Sequence, residues 1–246
     1  MRTKSIVVLA NSVKKSGRCL AGKELIWTGA EWTVGNWIRP VATPDGGEVP
    51  GFEMTQALGR EPQLLEILEI SLEGPVPQPD QPENWLLAKA AKWNSHGTMT
   101  FDQLPRLLDQ PETLWGTHLR YVEAGYPQQM AKPASLYLIQ PESFGSLRVW
   151  TEETIDAQGR HYDRHRRRAT LRYRGTFHEF DITDPQLQAR YYPSLPTRTE
   201  AGLNLPLRHP HRTAVCVSLT SEWHGRHYKI AAAFFEPPPK PAAELK

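Results

Sequence analysis

The sequence predicts a mainly β protein made of small barrels, with a few short helices. Three observations carry that expectation. Short segments rich in β-branched and aromatic residues recur along the whole chain, separated by turn residues. Prolines number 22 against 17 glycines in 246 residues, about 9% where ~5% is usual, and proline interrupts both helices and central strands. The strands do not alternate with long helical patterns, and no repeat of 20–50 residues is present, which excludes βαβ units and solenoids. At this length the chain forms one large domain or two small ones and buries a sizeable core.

The elements follow in order. Lys4–Ala10 is apolar and β-branched and reads as a buried strand. Residues 11–23 are polar and basic and read as a connecting loop. Gly35–Val41 is a second strand, with Pro40 marking an edge or an end, and Pro44–Gly51 is loop. Leu64–Leu72 is a long strand. Gly74–Pro82 holds four prolines and must be extended and at the surface. The segment 84–92 is short and fits either type of element.

Thr100 and Gln103 have capping-box spacing, and Pro105 limits the helix near 101–109 to a couple of turns. Gly125–Pro133 is the best internal boundary. It divides a first barrel (1–130) from a second (131–236), followed by a proline-rich tail (237–246). Ser135–Ile139 opens the second half with a strand. Arg168–Thr183 is a hairpin with Gly175-Thr176 as its turn, pairing Leu171 with Phe180 and Arg172 with Glu179. Asp184-Pro185 starts a short helix, with aspartate as N-cap and proline in the first position. Pro193–Pro210 is loop. Ala214–Leu219 and Tyr228–Phe235 are the last strands.

The chain holds two cysteines, Cys19 and Cys216, too few for a disulfide framework and without zinc spacing. Free buried thiols in a reducing compartment are the plainer reading. The apolar runs are too short for a signal peptide or a membrane span, so a cytoplasmic protein without a membrane partner is expected.

No glycine-rich phosphate loop, nucleophile elbow or metalloprotease helix is present. Histidines pair up at His161/His165, His209/His211 and His224/His227, but in a spacing that reads as surface. Cys19 beside Arg18 reads as a buried thiol before a nucleophile. No catalytic residue, metal site or cofactor is expected, and the chain is read as a non-enzyme.

The formal net charge is +2, but it is a cancellation. Residues 1–23 carry six bases and no acid, residues 160–174 carry seven arginines and one acid, and residues 53–112 carry ten acids and four bases. Basic blocks on strands and loops suit a phosphate backbone, and arginine adds bidentate and stacking contacts. Trp27, Trp32 and Trp37 flank the first block, and Trp150, Tyr162 and Tyr173 flank the second. Single-stranded nucleic acid is bound by such mixtures of aromatic platforms and positive charge. The residues put forward from charge are Lys14, Lys15, Arg18, Lys23, Arg39, Arg164, Arg166, Arg167 and Arg168. Tryptophans at strand spacing also serve as core.

The run Lys4–Leu9 followed by Ala10–Gly22, then Trp37–Val41, then Gln81–Trp85, with Val215–Leu219 and Tyr228–Ala232 at the end, resembles the prokaryotic dual OB-domain proteins. The likeness extends from about residue 4 to 235 and is weakest between 140 and 210. It implies two oligonucleotide/oligosaccharide-binding barrels and an accessory role in nucleic-acid binding or nucleotide sensing, in a setting of bacterial antiviral defence. It places Lys14, Lys15, Arg18, Trp37, Arg39 and Lys229 on a ligand face, with Gln81, Glu83 and Asn84 in a candidate pocket. The Arg160–Arg174 block lies outside the resemblance.

The function expected is a non-catalytic accessory protein binding single-stranded DNA or RNA. The alternatives are a scaffold module that docks a catalytic protein partner, and a sensor of a nucleotide or other small molecule.

Overall fold

The computed structural model describes residues 1–14, 17–89, 92–116, 118–156, 158–194 and 203–238. The first half holds β1 (Arg2–Lys14), β2 (Gly17–Trp27), β3 (Trp32–Val41), β4 (Val49–Pro50), α1 (Gly51–Leu58), β5 (Glu66–Pro75), β6 (Asn84–Leu87) and β7 (Asn94–Thr98). A 3-10 helix follows over Phe101–Leu107, then β8 (Tyr121–Glu123) and α2 (Tyr126–Gln129). The second half holds β9 (Leu136–Ile139), β10 (Ser143–Ile155), β11 (His161–Tyr173), β12 (Thr176–Ile182), α3 (Pro185–Tyr191), β13 (Leu203–Asn204), β14 (Ala214–Leu219) and β15 (Arg226–Phe235).

The first sheet closes on itself. β1 pairs with β5 through residues 2–7 and with β2 through residues 6–14. β2 continues to β3, β3 runs parallel to β6, and β6 returns antiparallel to β5. A long first strand shared between two neighbours thus closes a five-stranded barrel and removes the free edges.

The second sheet repeats the scheme with a broken first strand. β10 pairs with β11, β11 with β12, β12 runs parallel to β15, and β15 pairs with β14. The strand that pairs with β14 is β9, which leads into β10 through Gln140-Pro141-Glu142. Pro141 has no N–H to give a ladder, so the strand that is continuous as β1 is split here into β9 and β10.

Three apolar cores result. Ile6, Val8, Leu20, Ile38, Leu68, Ile70 and Leu72 fill the first barrel. Leu147, Val149, Ala169, Leu171, Phe180, Val215, Val217 and Phe234 fill the second, joined by Leu114, Trp115 and Val122. A middle core joins Val7, Leu9, Ala10 and Ala21 of the first barrel to Leu136, Leu138, Cys216, Ala233 and Phe235 of the second, with Leu104 and Leu107 of the 3-10 helix. β1 therefore alternates between two cores, Ile6 and Val8 inward and Val7 and Leu9 outward. That is why its apolar run is unbroken.

Several local expectations change. Residues 11–14 and 17–23 are strand rather than loop: β1 runs on to Lys14 and β2 starts at Gly17. Here the two strands pair with each other, Asn11 opposite Leu20 and Lys14 opposite Gly17. The helix at 101–107 is 3-10, with the expected Thr100/Gln103 capping box and Pro105 inside it. The hairpin between β11 and β12 turns on Arg174-Gly175, not Gly175-Thr176, with φ of 45° and 79°. Two positive φ values are what a type I′ turn demands. The register moves by two residues, Leu171 opposite His178 and Ala169 opposite Phe180. A shift of two preserves the faces, so Ala169, Leu171, Phe180 and Ile182 still point inward. Asp184 caps α3 as expected, accepting from the amides of Gln186 and Leu187. Among the described residues no helix is long and apolar enough to cross a membrane.

Candidate functional site

Basic residues of the first block are drawn into the structure rather than displayed. Arg18 donates two hydrogen bonds of 2.8 Å to Glu61. Lys23 is buried, donates to the Leu107 carbonyl at 2.8 Å and pairs with Asp109 at 2.6 Å. Trp37 donates its ring N–H to the same carboxylate at 3.0 Å, and the Leu138 amide donates to it at 2.8 Å. Asp109 thus fastens the end of the 3-10 helix to β2, β3 and β9. Lys14 closes the β1 ladder opposite Gly17, and Lys15 lies outside the described residues. Trp27 and Trp32 stack edge to face at 5.3 Å on an exposed hairpin tip.

Lys229 is fully buried, with its ammonium 3.5 Å from His178 Nδ1. Burial pushes its pKa down to about 7. It faces the second barrel's interior, because β15 points its odd positions His227, Lys229 and Ala231 inward. The resemblance placed it on a ligand face, and the structure places it in the core.

The arginine block lies on β11 and divides by the pleat. Arg164, Arg166 and Arg168 share the outer face with Arg148, Trp150 and Glu152 of β10. Arg167 points the other way, over the Tyr192 ring at 5.9 Å. On the outer face two guanidinium groups lie against the Trp150 ring, Arg168 at 5.3 Å and Arg148 at 5.6 Å. Arg166 is held by Glu152 at 2.6 Å. Its hydrogen bond to Glu152 is the main reason that carboxyl sits below its ordinary range. Arg168 reaches Glu179 and Asp181 at 3.7 and 3.8 Å.

The same face continues onto β15 and β8. Asp181 also takes Arg120 at 2.9 Å, and Arg120 lies over Tyr228 at 5.0 Å. Tyr228 meets Trp223 at 5.9 Å and Tyr121 at 6.2 Å, and Arg226 covers Tyr121 at 4.1 Å. Trp223 is 58% exposed and projects from the turn that joins β14 to β15. Rings and guanidinium groups therefore form a row from Arg148 to Trp223, joined on β12 at Asp181, which takes both Arg168 and Arg120. Sequence order concealed this row, because Arg120, Tyr121, Trp223, Arg226 and Tyr228 come from segments without a charge block.

The candidate pocket residues divide in the same way. Glu83 is spent on a joint between the barrels, accepting from Ser135 N at 2.7 Å and Ser135 Oγ at 2.8 Å. Asn84 is fully buried behind Gly46, whose φ is 86°. That left-handed backbone, rather than lack of space, is what glycine supplies at residue 46. Arg39 and Gln81 line a cleft between the barrels with a cavity volume of about 130 Å³. Its first-barrel wall includes Cys19, Ala21 and Val41, and its second-barrel wall Leu219, Ile230 and Ala232.

A closed barrel with a shared first strand and a parallel third–fifth pair, repeated once, is the OB arrangement. The dual OB-containing domain model matches residues 4–234. The chain belongs to that family. No curated protein matches it. Among solved structures, a murine DNA-binding protein bound to double-stranded DNA is similar over 96% of this chain and 97% of that chain, with 8% identity and a TM-score of 0.27. A likeness that slight carries no argument about binding. In OB terms the row runs from the first and second strands of the second barrel, β10 and β11, past the carboxylates Glu179 and Asp181 of the third, β12, to the fifth, β15, and ends at the loop between the fourth and fifth strands. Among the described residues, no three His, Cys, Asp or Glu side chains are grouped to hold a metal ion.

Proposed function

We propose that this dual OB protein binds single-stranded nucleic acid, as a non-catalytic accessory protein, across the outer face of its second barrel. The row from Arg148 through Trp150, Arg168, Arg120 and Tyr228 to Trp223 carries this reading. Aromatic faces stack on any base, and guanidinium groups stack and contact phosphate. OB barrels use their second and third strands and this loop for oligonucleotides. Glu152, Glu179 and Asp181 offset part of the positive charge and hold the arginine planes in place. Stacking then carries more of the affinity than counterion release does.

Fluorescence anisotropy with single- and double-stranded DNA and RNA of equal length, titrated with salt, tests the proposal. Single strands should bind more tightly than duplexes. The log–log salt slope should be no steeper than about −4, from about −0.7 for each neutralised phosphate. Trp150→Ala should weaken binding about five-fold or more, since a stacked base is worth about 1–3 kcal/mol. No binding at low salt, or an unchanged affinity in Trp150→Ala, overturns the proposal, and a duplex preference overturns its single-strand part.

A second reading, docking of a protein partner, draws on the apolar tip formed by Ile26, Trp27, Trp32 and Val34, each exposed. A stoichiometric partner that co-purifies with the wild type and is lost in Trp27→Lys would favour it.

A further inference from the structure

We propose that the cleft between the two barrels binds a small anion with a flat apolar body, a carboxylate or a phosphate ester, and that Arg39 is the residue that recognises its charge. The inference is independent of the nucleic-acid face, because the cleft is walled by both barrels.

Arg39 carries the argument. It is 7% exposed and lines the cleft. Its main chain is fixed, with its N–H donating to the Glu83 carbonyl at 2.8 Å and β3 paired with β6. One guanidinium nitrogen, Nη2, donates to Ser218 Oγ at 3.1 Å, which orients the plane. The other, Nη1, is buried and meets no acceptor among the described residues. Glu83, whose main-chain carbonyl takes the Arg39 amide, commits its carboxylate to Ser135. A buried guanidinium without a counter-charge is costly, and a bound anion relieves that cost.

A second polar atom in the cleft is also open. Thr183 Oγ1, on the second-barrel side, is buried without a partner among the described residues. Gln81 adds an amide to the lining. Val41, Ala21, Leu219 and Ile230 supply apolar walls. One oriented cation, a few hydrogen-bonding groups and apolar walls are what an amphiphilic small-molecule site needs.

Cys19 provides a local reporter. It lines the cleft, whereas Cys216 is fully buried. Alkylation by iodoacetamide therefore reads occupancy at Cys19. The probes are 8-anilinonaphthalene-1-sulfonate, whose sulfonate stands in for the carboxylate or phosphate ester, and N-phenyl-1-naphthylamine, the same rings without the charge.

At about ten times its Kd the sulfonate should slow alkylation about ten-fold, and the neutral compound should protect far less. In Arg39→Gln the two should become equal. Ile230→Trp, which fills the cleft and keeps Arg39, should abolish protection and serves if Arg39→Gln fails to fold. Displacement of the sulfonate by indole-3-acetate identifies a carboxylate ligand, and displacement by adenosine 5′-monophosphate a phosphate ester. Equal protection by both probes in the wild type, unchanged protection in a folded Arg39→Gln or Ile230→Trp variant, or displacement by neither class overturns the proposal.

Discussion

Replacing Lys229 with methionine removes an ionisable group from the interior of the second barrel, and the structure sets the size and sign of the effect. The side chain is fully buried, and its pKa falls from 10.5 to about 7 because burial disfavours the ammonium form. In the unfolded chain the pKa stays near 10.4. Between about pH 7 and 10.5 the unfolded chain therefore binds more protons than the folded protein, so stability rises with pH across that window. Below pH 7 both states are charged and the full penalty applies. At 1.36 kcal/mol per pKa unit, wild-type stability should climb by about 4 kcal/mol from pH 6.5 to 10 on account of this lysine. Lys229→Met lacks that rise, and methionine fills much of the same volume. Urea unfolding of both proteins at half-unit pH steps isolates the lysine, because the other titrations cancel in the difference. Parallel stability curves would show that the folded state holds the ammonium as readily as water does, and the account of its burial would fail.

Other consequences are local. Asp109→Asn should cost about 3 kcal/mol in urea unfolding, because it leaves the buried Lys23 ammonium without its counter-charge. Asp184 accepts from Gln186, Leu187 and Phe234 amides at 2.8, 3.2 and 2.9 Å. Asp184→Ala should cost about 3 kcal/mol, from a lost cap and a stranded buried amide, while Asp184→Asn keeps an acceptor and should cost about 1. Equal losses in the two variants would show that the carboxylate charge, rather than its acceptor oxygens, matters there. Leu9→Ala, in the middle core, should lower stability by about 3 kcal/mol, read as an earlier midpoint with one transition retained.

Much of the architecture was legible because patterning and turn chemistry act locally. The runs at Lys4–Ala10 and Ala214–Leu219 are apolar on both faces, and both strands lie between two cores. The Asp184-Pro185 start and the Thr100/Gln103 capping box are satisfied within a few residues, so short-range rules found them. The hairpin register missed by two because glycine can occupy either central position of a two-residue turn, and Arg174 accepts a positive φ that sequence would not assign to it.

The site was less legible, because charge counts do not show where a charge goes. Lys23 and Arg39 entered interiors, and Arg18 and Arg166 met carboxylates at residues 61 and 152. The stacked row needed Arg120 and Tyr228, which β8 and β15 bring together from distant segments. Lys229 carried a usable signal, since its odd position on β15 matches inward Ala231, but a lysine between apolar neighbours reads first as surface.

The middle core bears on how the chain can be handled. Val7, Leu9, Ala10 and Ala21 are shielded by residues from beyond position 130, and Cys216, Ala233 and Phe235 are shielded in return. An excised half would present that apolar layer to water and would self-associate or precipitate. Binding measured on a fragment would then report the stickiness of a newly bared surface, so the intact chain is the smallest unit on which ligand specificity can be measured.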